Sequence, residues 1–254
     1  MLGASPIFEV FDPDAVISGF TVTNGMAVPA NGPVGYCGGG IYCKFSTIVI
    51  TNCVLIGNFA THYGGGAYGG TVVNCIVMNN TGTRSGGGLN SSYARNCLIA
   101  FNTGGEGPNG GGGGISGGTV ESCTIVSNKA WRITEGFLYG GGVLNTVVTN
   151  SIVYFNKGVN AGVDNWSGGS QDYSCTLPLP GSGTNNIDGD PMFKDLAGLD
   201  FHPINGSPSI NGGTNLQWMD GFLDLEGNPR VLSGRVDLGA YEQRLSPGTV
   251  MVLR

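Results

Sequence analysis

The chain has 254 residues, of which 48 are glycine and only 11% are charged. Ordinary proteins hold roughly 7% glycine and roughly 25% charged residues. The glycines do not recur every third residue, which excludes collagen, and the low charge excludes a charged coiled coil or a highly charged disordered chain. The net charge is −6 with 11 Lys plus Arg and no basic run, which argues against nucleic acid as a partner. No apolar stretch approaches the roughly 20 residues of a membrane span.

In chain order, residues 1–14 show no basic start and no small-residue cleavage site, so no leader peptide is visible. From there one phrase returns. It runs Ser18-Gly19 to Asn24, then Cys53 to Asn58, Cys75 to Asn80, Cys97 to Asn102, Cys123 to Asn128 and Ser151 to Asn156. In every copy the closing Asn follows the Cys, Ser or Gly by five residues. A triple glycine with an aliphatic residue precedes five of the copies, ending at Ile41, Ala67, Leu89, Ile115 and Val143. The last four of these residues stand eight before the next Cys or Ser, and Ile41 stands twelve before it. Between each closing Asn and the next triple glycine lie 13, 5, 5, 9 and 11 residues. Length variation is therefore concentrated at one point of the repeat, as expected if one edge of a solenoid carries the insertions.

Glycine triplets and short β-rich runs such as Thr71-Val72-Val73 exclude helical repeats, and no helix-forming half exists for a leucine-rich repeat. A parallel β-helix remains, with coils stacked about 4.8 Å apart. Leu55, Val77, Ile99, Ile125 and Val153 stand two after the Cys or Ser and are expected to point inward. Cys53, Cys75, Cys97 and Cys123 form a column on the same side, continued by Ser151. The closing Asn column is expected to sit in a left-handed or tight turn and to hydrogen-bond along the axis. Triple glycine suits a crowded corner.

The rhythm resembles right-handed parallel β-helix proteins of the pectate-lyase-like superfamily. It is also similar to the repeats of polymorphic outer-membrane protein passengers, matched by Gly65-Gly66-Ala67-Tyr68 and approximated by Phe101-Asn102 and Phe155-Asn156. The stretches Asn186 to Phe193, Gly206 to Gly213, Asp224 to Arg230 and Val236 to Glu242 resemble the closing region of choice-of-anchor Q domain proteins. The resemblance covers roughly residues 15–243. It implies a bacterial protein that is secreted or attached to the cell surface, without implying a defined activity; the signal and anchor usual in that group are not visible in this chain. The expected architecture is all-β: a single-stranded right-handed parallel β-helix of about seven to nine coils, residues 1–254 forming one domain. Residues 1–16 supply a partial first coil, 17–175 the regular coils, and 176–254 irregular coils and a loop-rich closing region. The N-terminal end is expected to be an interface on which a further segment or another chain stacks.

Seven Cys is an odd number, and no Cys-x-x-Cys occurs. The column reads as a ladder of buried small side chains rather than a metal site. Cys37 and Cys43 flank a triple glycine and are candidates for a local disulfide, and Cys175 is expected in a coil near the C-terminal end. Matches to a nucleophile elbow (Gly114 to Gly118) and a dinucleotide pattern (Gly105 to Gly110) lack strand–turn–helix context and carry nothing.

A polysaccharide lyase on such a scaffold needs a base and a neutralising cation, and a hydrolase needs paired carboxylates. The charged residues of the repeats (Lys44, Arg84, Arg95, Glu106, Glu121, Lys129, Arg132, Glu135, Lys157 and Asp164) rarely share a coil position. Arg95 and Glu121 are the nearest to aligned and are expected to form a surface ion pair. The insert edge is the better candidate. It presents Tyr36, His62, Tyr63, Arg84, Glu106, Trp131, Arg132, Glu135, Tyr139, Asp164 and Trp166, and aromatic rings beside charged groups suit a polysaccharide or cell-surface glycan. The bland alternatives are that these aromatics cover their own loops and that His62 is a solvent-facing loop residue. Asp188, Asp190, Asp220, Asp224 and Glu226 make the C-terminal region acidic; turns and buried pairing to Arg230 or Arg235 are favoured there over calcium, and no other cofactor is indicated. The leading expectation is a non-catalytic adhesion or glycan-binding module, with a lyase or hydrolase and a purely structural stalk as alternatives.

Overall fold

A computed structural model describes residues 5–28, 36–105, 110–131, 140–158, 164–232 and 234–244. The chain winds as a parallel β-solenoid of about five turns. Sheet B shows the stacking most simply: Thr21–Thr23, Val54–Ile56, Ile76–Met78, Leu98–Ala100, Thr124–Val126, Ile152–Tyr154 and Cys175–Thr176 pair in parallel in that order. Sheet C stacks five two-residue strands, from Met26–Ala27 to Lys129–Ala130. Among the described residues five layers therefore carry all three sheets, fewer than the seven to nine coils expected, because the last layers keep sheets A and B but reduce sheet C to a single bridge, Lys129 to Lys157.

Sheet A begins each layer, and in the five layers from Ile41 to Val143 it starts directly after the triple glycine. In the first three layers it is two short strands, such as Ile41–Cys43 and Val49–Thr51. From the fourth layer the two parts fuse into seven-residue strands, first Leu89–Arg95. The long spacing after Ile41 is thus a second insertion of four residues, 44–47, at the corner inside sheet A.

Like residues form files along the axis. Ile50, Val72, Ala94, Val120 and Val148 fill the inside of sheet A, and Leu55, Val77, Ile99, Ile125 and Val153 the inside of sheet B, all fully buried. At the glycine corner a side chain cannot fit: a Cβ on Gly87 would lie 2.3 Å from the Thr103 carbonyl oxygen. The Cys column is buried, and each thiol does backbone work. Cys97 Sγ accepts from the Cys75 N–H at 3.4 Å and donates to the Arg95 carbonyl at 3.1 Å. Ser151 Oγ does the same for Cys123, at 3.1 and 2.8 Å.

The closing Asn residues hydrogen-bond along the axis as expected. The amide nitrogens of Asn58, Asn80, Asn102 and Asn128 donate to the next Oδ1 at 2.9–3.0 Å, and Asn156 donates to Asn165 at 3.2 Å. The backbone of these five is not left-handed. That conformation falls on the preceding residue, Gly57, Asn79, Phe101, Ser127 and Phe155, because the side chain must turn into the core while the chain reverses one position earlier. The first copy is also displaced by one. Val22 pairs with Leu55, so Gly19 aligns with Asn52 and Phe20, not Gly19, takes the Cys position.

All seven cysteines are free, which corrects the local disulfide proposed for Cys37 and Cys43. Cys43 points into the core from its strand, whereas Cys37 bridges to Tyr63 at the insert corner. Cys175 opens the last sheet B strand, one residue beyond the column, whose place is taken by Ser174.

The C-terminal region does more than close the end. Ile187 adds a bridge onto Cys175, extending the stack. The chain then crosses to the outer face of sheet B. There Phe201, Ala240 and Tyr241 bury Leu98, Ala100 and Val126, and Leu238 packs on Ile152 and Tyr154. Arg230, fully buried, pins this cover: its guanidinium donates to the Gly239 carbonyl at 3.1 Å and reaches Glu242 Oε1 at 3.3 Å and Asn96 Oδ1 at 3.4 Å. Its acidic partner is Glu242 rather than one of the carboxylates expected from the sequence, and Arg235 donates instead to the Gly213 carbonyl. Among the described residues no helix is long and apolar enough to cross a membrane.

Candidate functional site

The insert edge is built where each coil leaves sheet C and returns to the triple glycine. Cys37, Tyr63, Ser85 and Gly111 form a one-residue parallel ladder along it. This ladder carries Tyr36, His62, Tyr63 and Arg84 on successive layers. The His62 N–H donates to the Tyr36 carbonyl and the Arg84 N–H to the His62 carbonyl, both at 2.9 Å. The Tyr36 ring, 40% exposed, stacks on the His62 imidazole at 4.3 Å and 12°, and Tyr63 meets the other edge of the imidazole at 5.7 Å. Partial burial, and then the Arg84 charge, hold the His62 pKa below its usual value, so the ring is neutral near pH 7. His62 is therefore part of an aromatic cluster and not a bare loop residue.

Sheet A adds two outward tyrosines beside this cluster. Tyr42 and Tyr68 hold paired positions on adjacent strands, and their rings are parallel at 5.6 Å. Burial, and then the nearby Cys37 and Tyr63, raise the pKa of the Tyr68 hydroxyl. Phe11 extends the row, 6.2 Å from Tyr42. The sequence reading missed Tyr42 and Tyr68. Their position two after the triple glycine, repeated in consecutive coils, was the available signal.

The other predicted residues do not join this cluster. Trp131, 44% exposed, opens the insert three layers beyond that of His62, about 14 Å away at about 4.8 Å per layer. Asp164 is spent on Lys157, at 3.3 Å, and on the Gly158 N–H. The Trp166 indole N–H donates to the Pro178 carbonyl at 2.7 Å while its ring packs on the core. Glu106, Arg132, Glu135 and Tyr139 lie outside the described residues.

Among the described residues, the charged groups of the regular coils do not converge on a catalytic arrangement. Arg95 and Glu121 form the expected ion pair at 3.3 Å, shared with the Tyr93 hydroxyl and covered by Trp218, 4.4 Å from the guanidinium. Lys44 lies against Phe11 and Phe45. Charged groups do converge on the C-terminal cover. The strand Asp200–Pro203 puts Asp200 and His202 on one face, two residues apart, and Lys194 comes from its antiparallel neighbour Phe193–Asp195. Asp200 receives Lys194 Nζ at 2.8 Å and His202 Nδ1 at 2.5 Å, and His202 Nε2 lies 3.0 Å from Glu226. Lys194, and then His202, hold the Asp200 carboxyl down at about 2. Burial drives Glu242 the other way, to about 8, despite Arg230 beside it. The imidazole of His202 rests on Tyr241 at 4.4 Å. Sequence analysis placed Glu226 in the acidic C-terminal region without bringing it to His202.

The acidic turn expected to compete with calcium is occupied by its own backbone. Asp224 accepts from the N–H groups of Glu226, Asn228 and Glu242 at 2.7–2.9 Å. Among the described residues no group of three or more His, Cys, Asp or Glu is placed to hold a metal ion. No protein-family model matches the chain, and no curated protein matches it.

Proposed function

We propose that this solenoid is a non-catalytic glycan-binding module, acting at a bacterial cell surface or after secretion, and that the insert edge is its binding face. The observation that carries the reading is the aromatic cluster of Tyr36, His62 and Tyr63, flanked by Tyr42 and Tyr68 and bordered by Arg84. Sugar rings present apolar C–H faces that pack on aromatic rings, while cations and imidazoles take the hydroxyls. The repeat spacing of about 4.8 Å is close to the length of one sugar unit, so a row of rings at that interval suits an extended chain. The kinship suggested by the repeat phrases, with pectate-lyase-like β-helices and with surface passengers, points the same way and belongs to this proposal.

The test is electrophoresis through gels containing neutral or acidic polysaccharides, with reducing ends measured in parallel. Retardation by at least one polysaccharide, lost in Tyr36→Ala and Tyr63→Ala but kept in Trp131→Ala, supports the reading. Absence of retardation by every polysaccharide defeats it, and new reducing ends would move the protein to the cleavage alternative.

A further inference from the structure

A second site lies on the C-terminal cover, remote in sequence from the edge. Lys194, Asp200, His202, Glu226, Asn228 and Glu242 line an open pocket of about 520 Å³, with Gln243 and Arg244 at its rim. This volume falls in the range of small-molecule sites. The charges nearly cancel: Lys194 and Arg244 face the two carboxylates Asp200 and Glu226, and Glu242 is paired with the buried Arg230 at 3.3 Å. Such a pocket has no net field to hold a polyanion, and its side chains are not placed for a metal ion. What it offers is closely spaced acceptors (Asp200, Glu226) and donors (Lys194, Arg244, Gln243) around a flat wall of His202 backed by Tyr241. Vicinal hydroxyls each donate and accept, so a neutral polyol uses this set where a charged ligand leaves part of it unpaired. Glu226, with its side chain 54% exposed and in ion-pair contact with His202 at 3.0 Å, is placed to exchange that contact for a ligand hydroxyl.

We propose that this pocket binds a single neutral sugar residue through its hydroxyls. The chain holds only two histidines, one at each site, so imidazole NMR signals separate this proposal from the edge reading. Glucose, galactose, mannose and N-acetylglucosamine are titrated to about 50 mM, with a His62→Gln variant assigning the two signals. The expected result is a saturable shift of His202 with at least one sugar, weakened tenfold or more in both Glu226→Ala and Lys194→Ala, two exposed positions, while the His62 signal stays in place in the free variants and shows that the fold is intact. No His202 shift with any sugar overturns the proposal. So does a shift produced only by phosphate or acetate, or one that survives both substitutions unchanged.

Discussion

Replacing Asn102 by Ala tests the internal asparagine ladder at its centre. Asn102 Nδ2 donates to the Val77 carbonyl at 2.8 Å and to Asn128 Oδ1 at 2.9 Å. Its Oδ1 accepts from the backbone and side-chain N–H groups of Asn80 at 2.9 and 3.0 Å. All four bonds are buried, and alanine keeps none of them. The Asn80 backbone N–H is left without that acceptor, at a cost of about 1–3 kcal/mol, and three further bonds are lost at about 0.5–1.5 kcal/mol each. The sum centres on about 5 kcal/mol. For a chain of this size that is a fall of about 10–20 °C in the unfolding midpoint. Thermal and urea unfolding followed by circular dichroism reads it, with Asn205→Ala on the exposed surface as the reference. A loss below about 1 kcal/mol, or one no larger than that of the Asn205 variant, would refute the claim that these amides hold adjacent coils together.

Three further predictions rest on buried groups. In the Cys column, Cys97→Ser should be well tolerated because Ser151 already fills the same role, whereas Cys97→Ala should cost about 1–3 kcal/mol by stranding the Cys75 N–H; urea midpoints decide between them. Burial raises the pKa of the Cys43 and Cys175 thiols to about 12, and burial with the neighbouring thiol raises that of Cys97, so a thiol reagent should modify native protein slowly, with the half-buried Cys37 reacting first. Glu242 supplies a pH test. Its folded pKa, about 8, lies above that of the unfolded chain, so the folded state holds the extra proton. Its contribution is full below about pH 4.3 and is lost as pH rises through 8, at up to about 1.4 kcal/mol per unit. Glu242→Gln should flatten this slope, and an unchanged stability profile between pH 5 and 9 would contradict the assignment.

The repeat phrases were enough to read the solenoid, its inward files, the Cys column and the side on which most insertions fall. Neighbours in such a fold are the same position one coil later: Cys75 and Cys97, or Asn80 and Asn102, stand 22 residues apart and touch. Periodicity in the sequence is then periodicity in space. Burial at a repeated position follows directly, because each coil has one inside and one outside. Where a phrase strayed from the common register, as at Gly19, spacing alone gave the wrong partner and strand pairing corrected it.

Tertiary structure alone decided what covers the outside. Leu98, Ala100, Val126 and Ile152 are apolar on the outer face of sheet B, which marked a sheet buried on both sides but not what buries it. The answer came from Arg230 reaching Asn96 across 134 residues and from Phe201 and Tyr241 packing on the coils, contacts with no repeat to announce them. The meeting of Lys194, Asp200, His202 and Glu226 has the same origin. The sequence determined the stacked coils because each layer copies the contacts of the last. The cover and its pocket rest on pairings that occur once, and these exist only after hydrophobic burial against sheet B has fixed the path of the chain.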